Sequence, residues 1–212
     1  MIWSSICFRQ RVLRAAAATV CVLSLAVGTR SAVADDCANP PDVLVIRAIA
    51  GYSPGYRDMV QRLNASGCRT RIYSPAQAVF AARRIEEDLQ TGELQRPFVI
   101  VGYSMGADAG TVLSRKLARR GIVVDRLVLV EPTIPTRVDP EVACFNIYES
   151  RPKTDWWPML RGIPVQSTAG TGAITNYDLR LYDPALAEQT THLEFTRNAV
   201  VREIVVDQVM LR

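Results

Sequence analysis

Residues 98–109 of this 212-residue chain read FVIVGYSMGADA, an apolar run that leads into the pattern G-x-S-x-G. The run predicts a buried strand, and the stretch from Ala107 to Arg120 predicts a helix. A direct turn from a strand into a helix is so sharp that side chains two residues before and two residues after Ser104 would collide. Glycine at positions 102 and 106 avoids this collision, which favours such a turn here. Such a turn projects the Ser104 hydroxyl beyond the strand end, where it is able to react.

Short apolar runs and longer helical patterns alternate on both sides of this turn. The predicted strands are Val43 to Ala50, Thr70 to Tyr73, Pro97 to Val101, Arg126 to Val130, Cys144 to Tyr148 and Ala173 to Asp178. The predicted helices are Tyr56 to Ala65, Ala76 to Leu89, Ala107 to Arg120 and about Glu194 to Met210. This alternation predicts an α/β fold, a three-layer α/β/α sandwich with a mostly parallel sheet.

A serine hydroxyl is a weak nucleophile until a base removes its proton, and the chain contains a single histidine, His192. A lone histidine is by itself more often a packing or surface residue. His192, however, follows the last predicted strand and precedes the last helix, which gives the chain order nucleophile, acid, histidine. We therefore interpret Ser104 as a nucleophile and His192 as its base.

The serine turn and the stretch from Leu127 to Pro132 resemble the α/β-hydrolase family, and more narrowly its compact lipase, cutinase and thioesterase-like members. In many lipases of this fold the acid follows the strand after the serine helix and precedes a proline. The resemblance therefore implies that Glu131 orients His192, with glutamate where aspartate is commoner. Asp155 is the alternative, because the wider family most often places its acid after the next strand.

The oxyanion donors are less well defined by the sequence. The Met105 N–H lies at the start of the helix after Ser104 and is expected to be one donor. The strand that usually ends in His-Gly ends here in the residues RAIAG, 47–51. The second donor is therefore expected from the N–H of Ala48, with Ile49 as the alternative.

A cap domain over the sheet is not expected. The connection from Glu131 to Val142 is short and contains three prolines, which leaves no room for a helical cap. The one substantial excursion runs from Ser150 to Thr171. Its Trp156 and Trp157 either pack partly buried or form an apolar rim that receives an acyl chain.

These features predict a serine esterase, lipase or thioesterase that forms an acyl-enzyme on Ser104 from a small-molecule ester or thioester. His192 moves the proton and water releases the acyl group. The chemistry implies no metal and no cofactor. A catalytically silent binding protein of this fold and an acyltransferase are the alternatives.

Residues 1–34 are predicted to be a cleaved signal peptide, and residues 35–212 the hydrolase domain. Three arginines before residue 15 precede an apolar run from Ala15 to Gly28, shorter than the roughly 20 residues needed to cross a bilayer. Small residues follow, and we expect cleavage after Ala34, with an uncleaved membrane anchor as the alternative. The mature protein is then secreted or periplasmic, with no stable membrane insertion.

Removal of the leader changes the charge of the chain. Four of the 25 basic residues and none of the 21 acidic residues lie within it, so 21 of each remain. A formally neutral protein lacks the basic surface that nucleic-acid binding requires. Nucleic acid is therefore excluded as a partner.

Three of the five cysteines lie beyond the leader, namely Cys37, Cys68 and Cys144. In an oxidising compartment an odd number cannot all pair. Cys37 and Cys68 each precede a strand and can approach one another, whereas Cys144 lies in an apolar strand and is interpreted as a buried thiol. Whether the Cys37–Cys68 disulfide forms stays open.

Overall fold

Six parallel strands form the central sheet of the computed structural model, which describes residues 39–150 and 162–211. The strands are β1 Asp42–Ile46, β2 Arg69–Tyr73, β3 Phe98–Tyr103, β4 Arg126–Val130, β6 Ala143–Tyr148 and β8 Ile174–Asp178. Their order across the sheet is β2-β1-β3-β4-β6-β8. The predicted parallel sheet is confirmed.

Helices cover both faces of the sheet. They are α1 Tyr56–Ala65, α2 Pro75–Phe80, α3 Ala82–Thr91, α4 Met105–Ala118, α5 Leu179–Tyr182, α6 Pro184–Glu188 and α7 Ala199–Met210. Val43 and Val45 of β1 face the layer of α1 and α7, while Leu44 and Ile46 face the layer of α2, α3 and α4. The three-layer architecture is therefore the predicted one.

The predicted helix from Ala76 to Leu89 is in fact two helices. The first begins earlier than predicted because the Ser74 hydroxyl accepts the Gln77 N–H while the Gln77 side chain accepts the Ser74 N–H, a capping box. It ends at Ala81, whose N–H donates to the Ala78 carbonyl three residues back at 3.1 Å. That tighter bond ends α2 and separates it from α3.

The last predicted helix is also divided. His192–Arg197 form a 3-10 turn, and α7 begins only after Asn198, whose side chain accepts the Val200 N–H at 2.9 Å. Asparagine is a preferred residue at this capping position, since its side chain satisfies a helix N–H that lacks a partner. His192 therefore lies on a turn between β8 and α7.

The connection between β4 and β6 contains no helix, as its prolines predict. It forms the short strand β5 Arg137–Val138, which pairs in parallel with β7 Gln166–Ser167. Trp156 and Trp157 lie outside the described residues. Every helix in the described part of the chain is too short or too polar to span a bilayer.

The predicted leader and its cleavage after Ala34 also lie outside the described residues, so both stay predictions. Within the described ranges, Cys68 and Cys144 are buried and are not bonded to each other. The Cys68 sulfur lies 3.6 Å from the Met210 sulfur. Cys37 lies outside the described residues, and its pairing with Cys68 stays a prediction.

Candidate active site

Ser104 occupies a strained turn between β3 and α4, with φ 55° and ψ −126°. A Cβ on Gly102 would lie 2.4 Å from the Gly106 carbonyl oxygen, and a Cβ on Gly106 would lie 2.3 Å from the Ile46 carbonyl oxygen. Neither position has room for a side chain. The Ser104 N–H donates to the Val130 carbonyl at 2.8 Å, which ties the turn to β4.

His192 lies beside this turn and contacts the serine. Its Nε2 is 3.0 Å from the Ser104 Oγ, and its Nδ1 is 2.8 Å from the Glu131 Oε2. A neutral imidazole protonated at Nδ1 donates to the carboxylate and accepts from the hydroxyl. The structure thus brings Ser104, His192 and Glu131 together, all of them buried.

Tyr103 fixes the backbone of the histidine turn. Its hydroxyl donates to the His192 carbonyl, and the two rings lie 5.9 Å apart between centroids. Burial raises the pKa of the Tyr103 phenol above its ordinary value, and the nearby Glu131 charge raises it further. The phenol therefore stays protonated and keeps donating.

Glu131 ends β4 in an unusual backbone conformation, with φ 52°. Its N–H donates to the Ile147 carbonyl at 2.9 Å, and its Oε1 accepts the Glu149 N–H. Gly162 lies so close that a Cβ there would be 2.7 Å from Oε1. One carboxylate oxygen is thus held by backbone and the other faces His192, whereas Asp155 lies outside the described residues.

The two segments expected to supply oxyanion donors flank the serine turn. Met105 is the first residue of α4, where N–H groups have no partner within the helix. The Ala48 N–H, the expected second donor, already donates to the Ser53 hydroxyl at 3.1 Å. The alternative, Ile49, begins a 3-10 turn in which Ala50 has φ 53° and Gly51 has φ 74°.

Asp108 is a site residue that sequence reasoning missed. Its Oδ1 accepts the Thr133 N–H at 3.1 Å and the Ile134 N–H at 3.4 Å, and its Oδ2 accepts the Thr133 hydroxyl. Burial raises the Asp108 pKa, and these bonds oppose the shift. Asp108 therefore fastens the first turn of α4 to the segment that follows Glu131.

No group of three or more His, Cys, Asp or Glu side chains in ranges 39–150 and 162–211 could hold a metal ion. The three contacting side chains of the site are a hydroxyl, an imidazole and a carboxylate. That donor set is suited to proton transfer and nucleophilic attack.

Several solved structures are similar to this chain at low sequence identity. The product of the Listeria innocua gene lin2722 matches with a TM-score of 0.54 and 10% identity, covering 80% of this chain and 93% of its own. YbtT, a type II thioesterase from yersiniabactin biosynthesis, matches at 0.46 and 11% identity, covering 82% and 96%. RedJ, a thioesterase from the prodiginine pathway of Streptomyces coelicolor, matches at 0.46 and 12%, covering 84% and 93%.

No protein-family model matches the sequence, and no curated protein is significantly similar to it. The sheet order, the strand–turn–helix at Ser104 and the structural likeness together define the class. The chain has the α/β-hydrolase fold.

Proposed function

We propose that this protein is a serine hydrolase that cleaves a small carboxylic ester or thioester. The observation that supports this proposal is the continuous series of contacts from Ser104 through His192 to Glu131. Each group has the partner that its chemical role needs. The nucleophile has a base, and the base has a buried carboxylate that fixes its tautomer.

The reaction follows from this geometry. The Ser104 Oγ attacks the carbonyl carbon, and its proton passes to the His192 Nε2 while Glu131 stabilises the imidazolium. The tetrahedral intermediate collapses, and the alcohol or thiol leaves with the proton from Nε2. Water then attacks the acyl-enzyme, gives its proton to Nε2 and releases the acid, which restores the Ser104 hydroxyl.

The negative charge of the intermediate needs donors, and the N-terminus of α4 supplies the Met105 N–H. We propose Ile49 as the second donor, because the Ala48 N–H already has a partner in Ser53. Loss of one such donor typically costs about 3–4 kcal/mol of transition-state stabilisation. If Ala48 serves instead, it must first exchange the Ser53 hydroxyl for the substrate.

Export is part of the proposal and is supported by the leader pattern of residues 1–34. Recovery of a protein that begins near Asp35 outside the cytoplasm of the native host would agree with it. Unprocessed full-length chain in the cytoplasm would contradict it.

One observation favours a second candidate function, a catalytically silent binding protein. The expected oxyanion donor Ala48 is engaged by Ser53, and the segment around it departs from the usual His-Gly pattern. An acyltransferase would share the chemistry of Ser104 and differ only in the acceptor of the acyl group.

A fluorophosphonate probe, which reacts with activated serines, tests the proposal. We expect labelling and turnover of p-nitrophenyl esters by the wild type and by Ser114→Ala, and neither by Ser104→Ala. Ser114 is a matched control, because it is a buried serine of α4 whose hydroxyl has no hydrogen-bond partner in the described structure.

The outcomes separate the candidates. Absence of labelling in folded wild-type protein would support the binding protein. Transfer of the acyl group to an added alcohol in preference to water would support the acyltransferase.

A further inference from the structure

A cleft of about 450 Å³ lies between α4 and the short β5–β7 pair. Asp108, Thr111 and Arg115 line it from α4, Arg137 lines it from β5, and Gln166 lines it from β7. The proposed mechanism uses none of these side chains as an acid, base or nucleophile. The question is what such a cleft binds.

The two arginines of this cleft have no ion-pair partner among residues 39–150 and 162–211. Within the described residues, neither the Arg115 nor the Arg137 guanidinium has an ion pair or a hydrogen bond, although Arg115 is half-buried. Several other arginines of the protein pair with carboxylates, such as Arg180 with Glu149 at 3.0 Å. An unpaired guanidinium offers a planar array of donors that matches carboxylate and phosphate oxygens.

The acids near the cleft do not neutralise this charge by direct contact. Asp108 lines the cleft, but its oxygens accept hydrogen bonds from Thr133 and Ile134. Asp139 and Glu141 line a neighbouring depression together with Arg115, without an ion pair to it. Within the described residues, the cleft thus presents two guanidinium groups that no carboxylate contacts directly.

The lining of the cleft starts at Asp108, four residues beyond Ser104 in the chain, and extends along α4 away from the serine. Asp108 is one helical turn beyond Ser104, and Arg115 is about 16 Å beyond Ser104 along the axis of α4. Side chains of a helix lean toward its N-terminus, so the Arg115 guanidinium lies nearer to Ser104 than its Cα does. A ligand along this path spans on the order of 10 Å between its two ends.

We infer that this cleft binds a carboxylate or phosphate carried by the substrate at the end remote from the cleaved bond. The inference rests on the proposed function, since it assigns the substrate class of the same site. Arg115 and Arg137 hold the anion while the acyl carbonyl lies at Ser104. The substrate class is thus an ester or thioester whose acyl chain ends in an anionic group.

A chain-length series measures this arrangement directly. The substrates are p-nitrophenyl monoesters of dicarboxylic acids with four to twelve carbons, each compared with its methyl-capped neutral counterpart. We expect the anionic-to-neutral ratio of kcat/KM to peak at about eight to ten carbons, where the chain spans the distance to the arginines. Phosphate-terminated esters of the same lengths show which anion is preferred.

Variants that remove the charge of the two arginines test whether the anionic-to-neutral ratio of kcat/KM depends on them. In the double variant Arg115→Gln/Arg137→Gln we expect kcat/KM for the best anionic ester to fall at least about tenfold, through KM, with the neutral ester unchanged. Arg57→Gln is the matched control, because Arg57 is an exposed arginine of α1 that also has no ion pair in the described structure. Its kinetics should match those of the wild type.

A ratio that is flat with chain length, or an equal loss for both esters, would overturn the inference while neutral-ester turnover still supports the hydrolase. If no ester is turned over, the proposed function fails. The anion site is then tested separately, by calorimetric measurement of how tightly the intact anionic ester binds to Ser104→Ala. Binding that weakens at least about tenfold on adding Arg115→Gln/Arg137→Gln supports the anion site. Equal binding contradicts it.

Discussion

Glu131 adopts a left-handed backbone conformation that costs a non-glycine residue about 1–3 kcal/mol. The cost is offset by its surroundings, since its N–H bonds to Ile147 and its Oε1 accepts the Glu149 N–H. Together these contacts leave one oxygen for His192. The strain thus lies at the residue that orients the proposed base.

The first residue-scale prediction concerns this acid. We expect Glu131→Gln to lower kcat by at least about a hundredfold with folding preserved, because an amide does not hold the imidazolium that forms during catalysis. Asp155→Asn should change kcat less than about tenfold. Steady-state kinetics of both variants, with thermal unfolding as the check on folding, decides between them, and the opposite ranking would transfer the acid role to Asp155.

The sequence alone identified Ser104 and His192 as partners because the serine turn is a local pattern and the chain has one histidine. It left Glu131 and Asp155 as alternatives, because the path of the chain after β4 depends on packing with β6. Asp108 was missed for the same reason. Its partners Thr133 and Ile134 lie 25 and 26 residues away, and no local pattern predicts that meeting.

At the scale of elements, the site depends on how α4 is joined to the segment after β4. Asp108 of α4 provides this connection, because its carboxylate accepts hydrogen bonds from Thr133 and Ile134. If these hydrogen bonds are lost, Ser104 and Glu131 are expected to shift relative to one another. Such a displacement lowers the stabilisation of the transition state more than it weakens the binding of a small substrate.

We therefore predict that Asp108→Asn lowers kcat about tenfold and leaves KM for a small neutral ester nearly unchanged. The amide nitrogen replaces one acceptor with a donor, and an unsatisfied buried group costs about 1–3 kcal/mol. Glu141→Gln, at an exposed acid, is the control for charge loss. Wild-type kcat in a folded Asp108→Asn protein would show that this connection is not needed for catalysis.

The elements themselves differ in how well a sequence predicts them. β3 and β4 were predicted closely, because continuous apolar runs allow few other structures. The prediction for β1 was wrong at its end, since the strand stops at Ile46 and Ile49–Gly51 form a 3-10 turn instead of continuing it to Ala50. Helix ends were predicted less well, because one hydrogen bond is enough to determine where a helix begins or ends. The apolar residues keep a helical spacing across both interruptions. The chain is nevertheless divided there, once by the hydrogen bond from the Ala81 N–H to the Ala78 carbonyl and once by the Asn198 cap.

The protein as a whole buries several groups that are neutral at pH 7. Burial raises the pKa of Cys144 to about 12 and raises the pKa values of Tyr56 and Tyr103 above their ordinary value of 10.0. In the unfolded chain a thiol loses its proton near pH 9 and a phenol near pH 10. Between those values and the folded pKa values, the unfolded state therefore binds fewer protons than the folded state.

It follows that the free energy of unfolding is fully maintained below about pH 9 and decreases above it. Each such group contributes a slope of about 1.4 kcal/mol per pH unit. Urea unfolding at pH 8, 9.5 and 11 measures this decrease, and Tyr103→Phe should reduce its slope. Equal or rising stability across that range would contradict the assignment of these groups as buried and neutral.

The contacts at the site also join residues that are far apart along the chain. Ser104 and His192 are separated by 88 residues, and His192 and Glu131 by 61. Closing such long loops slows folding, and the His192 turn follows β8, which lies at the edge of the sheet. The position of His192 beside Ser104 therefore depends on the assembly of the whole sheet. A chain whose fold is incomplete therefore lacks the series of contacts from Ser104 to Glu131.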